Sequence, residues 1–256
     1  MSHFLRPLTL DEVQDGARAV YRKNFRFFFA AGLVPFLPLT AAWCYAILAA
    51  GGPEWVPWAG YALSVPGIAL AWGALVHAVG EEARGRPVVP RESLRAAGRR
   101  FLPLLGVTLL THFFVGAGLL ILVAPGILAM VALFLVWPVV MFEGKGPGEA
   151  GARSKQLVDA VWGTLPAFVL GLLLEVVGPS VLVMLAGGAV ALVMLLYPGP
   201  AVVWTLAVTV ALGVILAARK VPFLVAVSTL VYFDRRARTE GVGEAEPAGE
   251  PVLEPA

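Results

Sequence analysis

The chain has 256 residues, of which 59% are hydrophobic and only 14% charged, with a net charge of +2. Soluble domains run at roughly 45–50% apolar and 25% charged residues, so this composition and a mean hydropathy of +0.83 exclude an ordinary water-soluble fold. Four stretches, Phe27–Pro53, Trp55–Gly80, Phe101–Phe142 and Val176–Ala218, contain no Asp, Glu, Lys or Arg and cover more than half of the chain, as expected of a multi-pass protein with lipid for solvent.

In chain order, the first element predicted is a helix beginning at Thr9-Leu10-Asp11-Glu12. This is a capping box in which the Thr9 hydroxyl and Glu12 carboxylate satisfy each other's backbone donors, with Leu8 and Val13 as a hydrophobic staple. Leu10, Val13, Ala17, Val20 and Tyr21 recur at helical spacing opposite Asp15, Arg18, Arg22 and Lys23, which predicts an amphipathic helix in the membrane interface. Six spans follow: Phe27–Ala50, Trp55–Gly80, Phe101–Val123, Gly126–Met141, Trp162–Ala186 and Ala201–Phe233. The apolar run Phe101–Phe142 is twice the length of one crossing, and Pro125-Gly126 is expected to turn it. Units like the first precede the third span, where Pro90 and Glu92 lead to Phe101, and the fifth, where Pro147 and Glu149 lead to Trp162. Glu12 to Phe25 and Glu149 to Trp162 share one spacing, and Glu92 to Phe101 is about a turn shorter.

The expected fold is therefore all-α: a polytopic transmembrane bundle over residues 1–238, in three hairpins. Each hairpin follows a cytoplasmic elbow helix, in a possible threefold repeat starting near residues 8, 90 and 147. Basic residues before a span are also what topology alone would place there. Residues 239–256, rich in Gly, Pro and Glu, suit a disordered acidic tail. Of nineteen Lys and Arg, all but Arg219 and Lys220 lie before the first span, between Arg84 and Arg100, between Lys145 and Lys155, or between Arg235 and Arg238. The intervening connections carry none, so the positive-inside rule puts both termini in the cytoplasm of a bacterial inner-membrane protein. The lone Cys44 offers no disulfide framework. Most tryptophans and Tyr232 fall near span ends, as headgroup-level rings do, whereas Trp43, Trp72 and Trp137 sit deeper and read as packing residues.

The order of several motifs resembles a family of bacterial multi-pass membrane proteins without an assigned activity. These are Leu5-Arg6-Pro7-Leu8-Thr9-Leu10, Tyr21-Arg22-Lys23-Asn24-Phe25, Pro125-Gly126-Ile127, Phe142-Glu143-Gly144, Glu149-Ala150 with Arg153-Ser154, and Tyr232-Phe233-Asp234-Arg235-Arg236-Ala237-Arg238. That family is similar to the membrane domain attached to some glycerophosphoryl diester phosphodiesterases. The resemblance covers residues 5 to 241 and implies a six-helix membrane module. The phosphodiesterase chemistry of fused relatives belongs to a separate soluble domain, which these residues do not contain.

Ionisable groups at membrane depth are the sharpest functional leads. Glu175 stands ~20 Å past Trp162 and Arg219 ~22 Å before Asp234 at 1.5 Å per residue, so Glu175 is matched in depth to Arg219 and Lys220. They form a candidate ion pair between the fifth and sixth helices. Alternatively Ala201–Ala218 alone crosses, Arg219 and Lys220 mark its boundary, and Pro222–Phe233 lies flat or re-enters. His112, beside Thr108 and Thr111, is a candidate proton relay or a hydrogen-bonded bundle residue. Pro66-Gly67 and Gly178-Pro179 are expected to bend or break the second and fifth helices. Gly116-Ala117-Gly118 and Ala186-Gly187-Gly188 read as close helix contacts. Arg84, Arg86, Arg91, Arg95, Arg99 and Arg100 are candidate contacts for anionic lipid headgroups. Glu143 reads as a boundary residue. No Walker loop, dinucleotide fingerprint or metal-ligand spacing occurs, so no cofactor, metal or nucleic acid is expected.

Three functions remain open at this level. The first is a non-enzymatic membrane protein that engages lipid or an envelope partner through its elbows. The second is a small-solute or lipid transporter working through the kinked helices, and the third a membrane-embedded lipid-modifying enzyme. The topology is checked with reporter fusions: those at Gly85, at Gly146 and after Ala256 report the same face, and one at Gly52 the opposite face.

Overall fold

A computed structural model describes residues 7–49, 53–121, 123–159, 188, 192 and 200–240. Among these the elements, apart from one 3₁₀ turn, are α1 (Leu10–Lys23), α2 (Phe25–Leu33), α3 (Leu37–Leu48), α4 (Val56–Ala83), α5 (Pro90–Arg99), α6 (Phe101–Ile121), α7 (Val123–Ala132), α8 (Val136–Glu143), α9 (Pro147–Asp159) and α10 (Pro200–Glu240). Five segments are long and apolar enough to cross a membrane: Phe25–Ala46, Val56–Ala83, Phe101–Gly118, Ala124–Glu143 and Trp204–Glu240. The described residues are thus all-helical, and the chain is a multi-pass membrane protein. The fifth expected span, with Glu175 and Gly178-Pro179, and residues 241–256 of the expected tail lie outside the described residues.

The elbow helices start where local chemistry dictates. Thr9 Oγ accepts from Glu12 N at 3.3 Å and Thr9 N donates to Glu12 Oε2 at 2.8 Å, closing the capping box. Asp11 and Glu12 in the first turn and Arg22 and Lys23 in the last complement the helix dipole. Pro90 opens α5 and Pro147 opens α9. Counting from Glu12, Glu92 and Glu149, the same register is buried in all three helices. Val13, Ser93 and Ala150 one residue on, and Ala17, Ala97 and Ser154 five residues on, are at most 1% exposed. Elbow and span meet at matching bends, Asn24 at φ −112°, ψ 26° and Arg100 at φ −113°, ψ 23°, each followed by Phe.

Several expectations need correction. Pro66-Gly67 does not interrupt the second span: α4 is helical from Val56 to Ala83 with Pro66 inside it. A Cβ on Gly67 would stand 3.3 Å from Pro35 Cα, so this glycine admits a neighbouring helix. Pro125-Gly126 does not precede the fourth span as its turn but lies inside α7, Val123–Ala132. Pro125 occupies the first turn of α7, where its missing N–H would have been unpaired in any case. Gly126 is instead the contact of that hairpin: a Cβ on Gly118 would fall 2.7 Å from Gly126 Cα and N. The fourth span is two helices, and Ser154 stitches their junction by donating to Ala132 O at 2.7 Å and accepting from Leu135 N at 3.1 Å. Finally, α10 runs unbroken to Glu240, so Pro222–Phe233 neither re-enters nor lies apart as a separate segment, and the tail cannot begin at Thr239.

The two ends of the bundle differ in kind. At the elbow end, Val13, Ala17 and Val20 of α1, Leu75, Val76 and Val79 of α4, Val139 and Val140 of α8, and Leu230 and Val231 of α10 form one buried cluster. Toward the other end Trp55, Trp58, Phe113, Leu120 and Trp204 are exposed, as suits surface solvated by lipid. Trp72 and Trp137 pack edge to face with centroids 4.5 Å apart, but Trp43 is exposed and is no packing residue. Tyr232 is not an interfacial ring: it is fully buried, stacked on Phe142.

Helices in lipid gain no hydrophobic drive from meeting one another, so close backbone approach carries the association. Pro222 lacks the N–H that would bond Ala218 O, and Gly32 of α2 packs against that carbonyl. A Cβ there would stand 2.3 Å from Ala218 O. Gly32→Ala is therefore expected to cost about 1–3 kcal/mol, read as a lower unfolding temperature in detergent. Gly116→Ala, which meets nothing within 4 Å, serves as the control and leaves the transition in place.

Candidate functional site

Polar side chains concentrate at the elbow end, around Glu143 at the C-terminus of α8. The helix stops there because Gly144 takes φ +70°, a left-handed conformation that glycine adopts without strain. The Glu143 carboxylate accepts from Arg153 Nε at 3.2 Å to both oxygens, from Tyr232 OH at 3.1 Å and from Lys145 Nζ at 3.0 Å. Arg153 also pairs with Glu240, Arg236 Nε donates to Glu240 Oε2 at 2.7 Å, and Arg236 Nη1 reaches Tyr232 OH at 3.5 Å. Glu143, Arg153, Glu240, Arg236 and Tyr232 thus close a ring across α8, α9 and α10. Burial alone would lower the Arg153 pKa, but the hydrogen bonds and charges of Glu143 and Glu240 outweigh it and hold the guanidinium charged.

Two further clamps act beside the ring. Asp234, 2% exposed, accepts from Leu8 N at 2.8 Å and from Arg238 Nε at 2.8 Å, while Arg238 Nη2 donates to Leu8 O at 2.7 Å. The residue before the α1 cap is thereby held on both its backbone groups by α10. Lys23 at the other end of α1 pairs with Glu82 of α4 at 2.5 Å.

The six arginines expected to meet lipid divide into two groups. Arg84 bonds Glu81 at 3.3 Å and lies 5.3 Å over the Phe142 ring, Arg86 bonds Glu81 at 2.9 Å, and Arg100 donates to Val140 O at 2.6 Å. These three serve the protein's own packing. Arg91, Arg95 and Arg99 are exposed and, at i, i+4 and i+8, form one stripe on α5 opposite buried Ser93 and Ala97.

His112 donates from Nδ1 to Thr108 O, 2.7 Å away on its own helix, and meets the Tyr61 ring edge to face at 5.9 Å. Neither partner passes a proton onward, so the geometry fits the hydrogen-bonded bundle residue. His77 joins α4 to α5 through Ser93 Oγ at 3.2 Å. Among the described residues no group of His, Cys, Asp and Glu could hold a metal.

Arg219 and Lys220 stand at the level of α1. They line a cleft with Arg18, Tyr21, Arg22, Leu216 and Phe223, and their proposed partner Glu175 lies outside the described residues. Tyr21 OH is buried without a hydrogen-bond partner among the described residues. Its pKa is raised by burial, against a smaller opposing pull from Arg219.

Glu143 is therefore no incidental boundary residue. Its oxygens are taken up by cations and a phenol, which suits a pin and not a general base. The sequence held a signal for it, since Phe142-Glu143-Gly144, Arg153-Ser154 and Tyr232–Arg238 all stood out as motifs. Their mutual contact did not. Glu143→Gln is expected to cost roughly 1.5–3 kcal/mol, because buried Tyr232 and half-buried Arg153 and Lys145 lose a charged acceptor. Glu240→Gln, at the exposed edge, costs about 0–1 kcal/mol, both read from unfolding in one detergent. Comparison with known protein families, with curated proteins and with solved structures finds no match.

Proposed function

We propose that this is a non-enzymatic inner-membrane protein whose elbow end faces the cytoplasm and holds anionic lipid headgroups, as a lipid-organising or scaffold element of the envelope. The observation that carries this reading is the α5 stripe. Arg91, Arg95 and Arg99 are directed away from the buried Ser93–Ala97 face and take no part in the ion pairs of Arg84 and Arg86 with Glu81 or the bond from Arg100 to the Val140 carbonyl. Exposed Leu94 lies between them, so the helix presents cations together with an apolar side chain that enters the headgroup region. The positive-inside rule places such a stripe at the cytoplasmic leaflet, where anionic lipids are abundant.

The transporter reading relied on broken helices to line a cavity. In α4 the helix continues through Pro66, with no gap in its backbone. The ring around Glu143 favours a fixed elbow end, because three elements are locked by the same carboxylates.

The test is native mass spectrometry of the full chain released from nanodiscs containing phosphatidylglycerol and phosphatidylcholine. The wild type retains phosphatidylglycerol selectively. Changing Arg91, Arg95 and Arg99 together to Gln removes one retained phosphatidylglycerol, its affinity at α5 falling by roughly two orders of magnitude at about 1 kcal/mol per cation, with the unfolding temperature unchanged. Equal retention of the two lipids by the wild type refutes the reading.

A further inference from the structure

The cleft between α1 and α10 is a second and differently built site. It is an open cleft of about 320 Å³, at the small end of the range for ligand pockets of roughly 300–1,000 Å³. Four cations converge on it from two helices: Arg18 and Arg22 from α1, Arg219 and Lys220 from α10. Among the described residues Arg18 meets Asp15 at 3.3 Å and Gln14 at 3.4 Å, both neighbours on its own helix. Arg22, Arg219 and Lys220 have no hydrogen bond or ion pair to any described residue. Gathering like charges costs free energy unless an anion sits among them, and one carboxylate such as Glu175 would leave most of the charge unmatched. The cleft also holds a neutral donor in want of an acceptor, the buried hydroxyl of Tyr21.

We propose that this cleft binds the phosphate group of an anionic glycerophospholipid. Arg22, Arg219 and Lys220 neutralise the phosphate oxygens, Arg18 adds charge at the rim, and Tyr21 OH donates to one oxygen. A lipid and not a free phosphate ester is the source, because the site is amphipathic. Leu216 and Phe223 form its apolar wall. From Arg219 a stripe of exposed apolar side chains, Ile215, Leu212, Val208 and Trp204, runs along one face of α10 at helical spacing. It is ~22 Å long, enough to carry an acyl chain to the opposite end of the bundle. The site shares with the α5 reading only the claim that lipid phosphate is the ligand. It uses other residues, so either can fail alone.

The experiment titrates full-length protein in detergent with phosphatidylglycerol, phosphatidylcholine or soluble glycerol 3-phosphate, scoring bound lipid by native mass spectrometry. One phosphatidylglycerol is retained at this site, and the double variant Arg22→Gln/Arg219→Gln weakens it roughly 30-fold, a factor of about five for each cation. Arg22→Lys/Arg219→Lys, which keeps the charge, stays within about fivefold of the wild type, and Tyr21→Phe loses a few-fold, as one hydrogen bond warrants. The variant with Arg91, Arg95 and Arg99 changed to Gln keeps this lipid, and glycerol 3-phosphate does not displace it. Retention unchanged in Arg22→Gln/Arg219→Gln overturns the site. Displacement by glycerol 3-phosphate at equal concentration overturns the lipid assignment. If only Glu175→Gln protein binds lipid there, the cations are satisfied internally and the proposal fails.

Discussion

Glu143 sits at the end of an apolar helix, and its charge has to be matched where it stands. A carboxylate so placed is stable only when donors converge on it, and here they come from Lys145 after the turn, Arg153 on the next helix and Tyr232 on the last. Those donors fix three elements relative to one another. The ring is completed through Glu240 and Arg236, so each cation on it also meets a second acceptor. The Asp234 and Arg238 clamp on Leu8 extends the same principle to the start of the chain.

This arrangement explains why the bundle has two ends of different character. At the elbow end, amphipathic helices bury their apolar faces as in a soluble protein, and the valine and leucine cluster there is closed to solvent. Farther along, lipid is as good a solvent for leucine as another helix is, so the outward aromatic and aliphatic residues stay exposed. Contact then depends on small residues, as where Gly32 meets the carbonyl freed by Pro222 and Gly118 meets Gly126. Prolines that would break a soluble helix are accommodated inside α4 and α10.

The distribution of cations follows from the same geometry. Arginines near Glu81, Phe142 and the Val140 carbonyl are consumed by the fold, while Arg91, Arg95 and Arg99 on the outer face of α5, and Arg22, Arg219 and Lys220 in the α1–α10 cleft, meet no side-chain acceptor among the described residues. Charge counting along the chain treats these groups alike. Only their partners tell them apart.

The sequence by itself determined what depends on neighbours within a few residues. The capping box at Thr9, the starts at Pro90 and Pro147, and the buried face of the first elbow are set by local spacing and were legible. Proline misled locally: Pro66 was read as a bend or break and Pro125 as the turn, but within a membrane bundle adjoining helices and first-turn positions absorb them. What only the tertiary structure decided is which charges meet. Leu8 and Asp234 are 226 positions apart, and Glu143 and Tyr232 are 89. No periodicity in a chain encodes such a pairing, because it arises when separately formed helices pack at one end and an unmatched carboxylate in that setting is too costly to keep.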